Sequence, residues 1–391
     1  MEITMFQMGF GESILLRKEN DCLLVDCGSE SSCREAYFDN VVRELKKHKQ
    51  CSLMISHFHA DHMNGIETLN KYFLEGFEKV YVPNIFSSGD KALDLLITQY
   101  LLERIKNKRY KMYHIWDALL ALVKAKLFIE PIKRHDQISI DNINFQVLLP
   151  DQKDMQIDEL WNDVLKELRQ LGLAENTVYL ANATRVIIHD LMESNPKDED
   201  YFKAEKRLDE IIVEFEDAVN NHIETIDKTI GINRFKREIA KLYKRISDIN
   251  ETSIVFHTID DIYPQILMTG DTSPSRLKKV ALKPHYDIFK SPHHGTSTHH
   301  RKFPFSYDRL LISNGETSGG KRGAICEKYL SNNGVKHVYC TNTIRNRCEY
   351  LKKYKKCASV CVNCKAGGLQ INCSTAESSK TDSIKGVLKN S

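Results

Sequence analysis

No stretch of this 391-residue chain is apolar for the roughly 18 residues that a membrane-spanning helix requires, so a helical membrane anchor is not expected. The opening "MEITMFQMGFGESILLRKEN" lacks the basic segment and uninterrupted apolar core of a secretion signal, and it reads as strand, turn, strand. A dominant charge is missing too. Lys and Arg number 56 against 53 Asp and Glu, and the formal net charge of +3 is too small to imply a nucleic-acid partner by itself. No internal repeat recurs along the chain. Eleven cysteines without a secretion signal point to reduced thiols rather than a disulfide framework, which makes the cytoplasm the expected location. With 41% hydrophobic and 28% charged residues, the composition is that of an ordinary globular protein.

Strand-like runs fill the first third: "EITMFQM", "SILLRK", "DCLLVDCG", "CSLMISH" and "KVYVPN". Apolar residues at helical spacing from about 91 to 126 predict a helical stretch, and "KLFIEPI" and "INFQVLLP" then return to strands. Residues 151–250 change character. Ile157, Leu160, Trp161, Val164, Leu165 and Leu168 share one helix face, and further stripes run through Leu208, Ile211, Phe215 and Ile223 and through Ile239, Leu242 and Ile246. Strand signals resume at "TSIVFHTI", "QILMTGD", "YDIFKSPHHG", "RLLISNG" and "HVYCTN". The expected fold class is α/β, in which residues 1–150 and 251–345 form two halves of one domain. The block 151–250 is a helical insertion, either a packed cap or a surface for a lid, a protein partner or self-association. Residues 346–391 form a basic, cysteine-rich C-terminal segment with a polar tail.

One short stretch concentrates chemistry. "LMISHFHADHMNG" leaves an apolar run and places His57, His59, Asp61 and His62 within six residues. Such groups are costly to bury unless something neutralises them. In extended chain His57 and His59 project to one side, and a following helical turn would bring Asp61 and His62 into the same cleft. Three more apolar runs end in the same residue types: "LLVDCGS" on Asp26, "ILMTGD" on Asp271, and "IFKSPHHG" on His293 and His294. Imidazole mixed with carboxylate suits zinc, manganese or iron, and strand tips are where α/β sheets collect ligands.

The ordered motifs "LLVDCGS", "SHFHADHMNG", "ILMTGD" and "DIFKSPHHGTS" resemble the metallo-β-lactamase superfamily of binuclear hydrolases. "MGFGESILLR" and "SPHHGTS" are most similar to the soluble hydrolase domain of ComEC-like proteins. The resemblance implies an αββα sandwich with helical insertions and two divalent metal ions, zinc first, with manganese or iron as alternatives. It further implies His57 and His59 on the first metal, Asp61, His62 and His294 on the second, and Asp271 bridging. Asp61 would also be catalytic, His293 would face the substrate, and Asp26 would orient the ligands. The roles of His293 and His294 could be exchanged. A third first-metal histidine has no clean counterpart, since His135 resembles a loop position and His114 and His189 lie in helical stretches.

Two cations about 3.5–4 Å apart would hold a hydroxide at neutral pH and absorb charge on the electrophile, so the expected reaction is hydrolysis by a metal-bound hydroxide. ComEC-like relatives imply phosphodiesters, either nucleic acid or nucleotides. The anionic class suits the basic run "IRNRCEYLKKYKK", unless that is a plain solvated face, and His299, His300, Arg301 and Lys302 either add phosphate contacts or form a polar loop. Cys357, Cys361, Cys364 and Cys373, with Cys348 as a substitute, could hold a structural zinc; otherwise they are free thiols. Alternatives are hydrolysis of a thioester, lactone or β-lactam, iron-dependent redox chemistry, or a non-catalytic interaction module.

Overall fold

The computed structural model describes residues 1–30, 35–73, 76–86, 91–106, 121–122, 127–151, 157–193, 252–315, 324–331, 334–341 and 368–372, with scattered helical positions between 199 and 242. Its core is two seven-stranded mixed sheets. In the first sheet the strands are β1 (Glu2–Phe6), β2 (Ile14–Lys18), β3 (Asp21–Val25), β4 (Gln50–Met54), β5 (Lys79–Pro83) and β6 (Phe128–Ile132). The second contains β7 (Gln137–Ile140), β8 (Ile143–Leu149), β9 (Val255–Thr258), β10 (Ile266–Met268), β11 (His285–Lys290), β12 (Ser306–Ile312) and β13 (His337–Cys340). β14 (Gly368–Asn372) returns to the first sheet and pairs antiparallel with β1.

Each sheet is antiparallel at one end and parallel at the other. β2 and β3 are joined through the two-residue loop Glu19–Asn20, and β7 and β8 through Asp141–Asn142; the positive φ of Glu19 and Asp141 matches the turn such a hairpin requires. β3–β4–β5–β6 and β10–β11–β12–β13 are parallel.

Strand periodicity explains the layers. Ile3, Met5, Ile14, Leu16, Leu23, Val25 and Met54 from the first sheet share one core cluster with Phe145, Phe256, Ile266, Met268, Ile288 and Leu311 from the second. Their neighbours Leu15, Leu24 and Leu53 point the other way, into a cluster built with helices α1 (Glu35–Leu45), α3 (Ile66–Tyr72) and α4 (Ala92–Lys106). On the far side of the second sheet, Leu267, Phe289, Leu310 and Ile312 form a third cluster.

The block expected to be an insertion contributes helices Ile157–Gln170 and Ala174–Glu193. Trp161, Val164, Leu168, Leu180 and Ile187, with Ile211, Ile239 and Leu242, join the cluster on the outer face of the first sheet. Those apolar residues are therefore used within the chain, and what faces solvent is a set including Tyr179, Val186, Phe202 and Val213. Within the expected stretch 91–126, helix α4 spans Ala92–Lys106, and residues 107–120 lie outside the described residues. The C-terminal segment is more than a tail, because it supplies β14. The basic run and Cys348, Cys357, Cys361, Cys364 and Cys373 lie outside the described residues. No helix among the described residues is long and apolar enough to cross a membrane.

Candidate metal centre

The parallel strands of both sheets deliver their carboxyl ends to one place. Asp26 follows β3, Ser56 and His57 follow β4, Asp271 follows β10, and His293 and His294 follow β11. A four-residue helix, α2 (Ala60–Met63), begins directly after His59 and carries Asp61 and His62. The backbones interlock at this level: Ile254 N–H donates to Ser56 O (2.8 Å) and Glu12 N–H donates to Asp61 O (3.0 Å). Gly28 lets the Asp61 turn approach, since a Cβ there would lie 1.9 Å from Asp61 O. Asp26 (φ 61°), His293 (φ 48°) and His294 (φ 54°) all adopt the left-handed region, which costs a non-glycine residue energy and which clusters at functional sites.

A hydrogen-bond chain sets the tautomers of two histidines. Asp26 is wholly buried and accepts from Ser56 N–H at Oδ1 (2.6 Å), and from the Ser56 hydroxyl and His62 Nδ1 at Oδ2 (2.7 Å each). The Ser56 proton is thus committed to Asp26, and its oxygen faces His57 Nδ1 at 3.1 Å as an acceptor. Both rings must therefore carry their proton on Nδ1 and turn Nε2 toward the cleft. His57 Nε2 lies 3.0 Å from His59 Nδ1, a nitrogen pair that needs either a proton or a cation between its lone pairs. His62 Nε2 is buried and makes no hydrogen bond; the nearest carboxylate oxygen, Asp271 Oδ2, is 3.4 Å away.

His294 is fixed in the same manner. Its Nδ1–H donates to Ser313 O (3.0 Å), and Nε2 faces Asp61 Oδ2 at 3.1 Å and Asp271 Oδ2 at 3.5 Å. Three sets of donors, buried except for the half-buried Asp61, lie within ligating reach of one another: His57, His62 and Asp271; Asp61, His62 and His294; and Glu12, Asp26 and His62. Charge follows this packing. Burial opposes ionisation of His62 and His294, but Asp271 and the neighbouring carboxylates outweigh it and hold both imidazoles above their ordinary value. Burial likewise opposes the Asp271 carboxylate, and His294 and His62 override it, leaving Asp271 well below the usual range. For His57, burial and the neighbouring His62 and His59 outweigh Asp271 and push the imidazole well down. Protons on His62 and His294 therefore sit where a cation would satisfy the same carboxylates. The donor set fits a divalent metal.

His293 is less enclosed. Its Nε2 is 3.8 Å from Asp271 Oδ2, its Nδ1 is 2.8 Å from His299 Nδ1, and burial lowers it to about 4. Of the four expected phosphate contacts, His299 is buried against His293, His300 packs edge-on against Tyr329 (ring centroids 4.5 Å apart), and Arg301 and Lys302 are exposed. His135 occupies a turn with φ 78° and His189 an exposed helix position; neither joins a ligating group among the described residues, and His114 lies outside them.

Three participants escaped the sequence reading. Ser56 couples Asp26 to His57. Glu12 and Lys290 form an ion pair at 2.5 Å, each about 1% exposed. Lys290 carries a signal in hindsight, since a lysine at the end of the apolar strand "HYDIFK" has to be matched by a charge. Burial raises the Glu12 carboxyl, whereas for Lys290 burial is outweighed by Glu12 and Asp271, which hold the amine above its ordinary value. The two groups stand at ion-pair distance, which favours the charged pair. With Asp271 and a backbone carbonyl also facing Nζ, the ammonium is the species the geometry favours.

Residues 4–156 match the family model described as Anti-Pycsar protein Apyc1, well under half of the chain. No curated protein matches. The match corrects the expected kinship with metallo-β-lactamase-like and ComEC-like hydrolases, because the family found is a different one. The physical reason lies in what the motifs encode. Strings such as "SHFHADHMNG" and "SPHHGTS" record the spacing that brings imidazoles and carboxylates together at strand tips, and that spacing specifies ligand geometry rather than descent.

Proposed function

We propose that the chain is a metal-dependent hydrolase of phosphodiesters. The observation that carries this reading is the convergence of the His57, His62 and His294 Nε2 atoms with Asp61 and Asp271, with His62 Nε2 buried and unpaired. His57, His59, Asp61, His62, Asp271 and His294 would hold two divalent cations, zinc in the first instance, between two packed sheets with helices outside. Bound there, the cations would lower the pKa of water to about 7 and polarise a phosphoryl oxygen.

The chain's own residues supply the rest. Asp26 keeps His62, and through Ser56 also His57, in the tautomer with a free Nε2. His293 faces the cleft from its more open side as a neutral imidazole, suited to donate a hydrogen bond to a phosphoryl oxygen. Arg301 and Lys302 are exposed cations a few residues beyond the paired histidines and can meet an anionic substrate. The match over residues 4–156 supports placing this activity in a protein of anti-Pycsar type, the role that the family's name states.

The test is metal content by plasma mass spectrometry on the wild type and Asp271→Ala, followed by turnover of linear and cyclic phosphodiesters beside a thioester and a lactone. About two zinc or manganese ions per chain are expected, with a sharp fall in the variant. Asp61→Ala and Asp271→Ala should abolish phosphodiester turnover while leaving the fold intact. A chain that binds no metal after reconstitution, or unaltered turnover in both variants, would sink the reading.

A further inference from the structure

The hydrolase reading leaves one buried charge pair without a task. Glu12 lies in the turn between β1 and β2, Lys290 at the end of β11, and both are shut away from solvent. Removing two ions from water is costly, and apolar residues of similar volume often serve stability equally well. Stability alone is thus a weak reason for a lysine between Phe289 and Ser291. Its Nζ does more than meet Glu12: it donates to Gly270 O (3.0 Å) and lies 3.8 Å from Asp271 Oδ1. The other oxygen of that carboxylate, Oδ2, faces His62, His294 and His293 at 3.4, 3.5 and 3.8 Å. Glu12 is itself anchored to the ligand turns, donating its N–H to Asp61 O and accepting from Gly28 N–H (2.9 Å).

We propose that Lys290, held by Glu12, is the positioning residue for Asp271: its ammonium binds the Gly270 carbonyl just before it and attracts Oδ1 across 3.8 Å without hydrogen bonding it, which holds the carboxylate plane with Oδ2 toward the three imidazoles. This role rests on the metal-dependent reading. The two oxygens of a carboxylate are equivalent and its torsion is broad, so what a charge fixed on one side sets is the tilt of the carboxylate plane, and with it the aim of the far oxygen into the site. The same ammonium, through Glu12, ties the tip of β10 to the Asp61 turn, and so couples ligands contributed by the two sheets.

The test compares the wild type with E12Q/K290M, which removes both charges together, and with K290Q, which keeps an N–H for Gly270 O. Zinc affinity is measured by competition with a chromophoric chelator, and the ligand field by the visible absorption of the cobalt-loaded chain. Both variants should bind zinc about 10–100-fold more weakly, as loss of a group that orients a ligand typically does, and their cobalt bands should shift. The metal-free double variant should unfold near the wild-type temperature, since no charge is left unpaired. A pair serving only stability would leave zinc affinity and the cobalt spectrum unchanged in both variants, and that result overturns the proposal. If the double variant does not fold, K290Q decides by the same two readouts. A wild type that takes up neither zinc nor cobalt removes the hydrolase reading and this role together; a wild type matched by its variants removes only the role of Lys290.

Discussion

Asp26→Asn isolates what one buried carboxylate does for the site. The backbone should tolerate it, because asparagine accepts the left-handed φ of 61° found there. Size is conserved; hydrogen-bond logic is not. Asp26 offers two acceptors to three donors: Ser56 N–H on Oδ1, and the Ser56 hydroxyl with His62 Nδ1–H on Oδ2. In the variant, the amide oxygen would remain on Ser56 N–H and the NH2 group would face His62 Nδ1. Two donors would then meet, and His62 would relieve them by moving its proton to Nε2. That is the nitrogen the cleft needs unprotonated. Weakening by about 10–100-fold in metal affinity is expected, equivalent to about 1.4–2.8 kcal/mol. The metal-free chain should lose a further 1.5–3 kcal/mol or so from a charge-assisted bond, partly offset because a carboxylate no longer has to be buried. Zinc affinity by chelator competition gives the first quantity, urea unfolding the second, and long-range proton–nitrogen correlation spectra of His62 report the tautomer. Wild-type affinity with an unprotonated Nε2 in the variant would refute the reasoning.

Three other outcomes follow from the same geometry. Gly28→Ala should destabilise by about 1–3 kcal/mol or more and weaken metal uptake, since its Cβ would stand 1.9 Å from Asp61 O and 2.2 Å from His62 N; a thermal midpoint and zinc content equal to wild type would contradict this. Because His62 and His294 are held above their ordinary value, metal binding near neutral pH must displace protons, so affinity should rise with pH until both imidazoles are neutral. Calorimetry in buffers of different ionisation enthalpy would show the release, and zero protons released would count against it. His257, buried beside the Tyr286 hydroxyl, is lowered from 6.5 to about 4 by burial, so the stability tied to its neutral form is complete above 6.5 and lost as pH falls toward 4. His257→Gln should make unfolding less acid-sensitive over that window, and identical pH profiles would argue against it.

Much of the candidate centre was legible along the chain because its histidines and carboxylates leave local marks. His57, His59, Asp61 and His62 sit within one strand exit and one helical turn, so their spacing alone brings them near each other. Asp26, Asp271 and His294 end apolar runs, and a polar residue at the tip of a buried strand is visible without coordinates. The family was misread from those same marks, because a ligand spacing carries chemistry but not ancestry.

Other features had no local signal. The assignment of β7 and β8 to the second sheet, ahead of the helical block, depends on pairing with β9 more than a hundred residues away. The return of Gly368–Asn372 to the edge of β1 is equally non-local.

The set of candidate ligands and the α/β alternation can be read along the chain, since both rest on periodicity and spacing over a few residues. Which nitrogen of His57, His62 and His294 faces the cleft depends on packing between distant segments. That choice is made by Asp26, Ser56 and the Ser313 carbonyl, which the parallel strands bring to the rings from distant parts of the chain. The same holds for Glu12 and Lys290: an ion pair between residues 278 positions apart exists only once two sheets have packed and water has been excluded from between them.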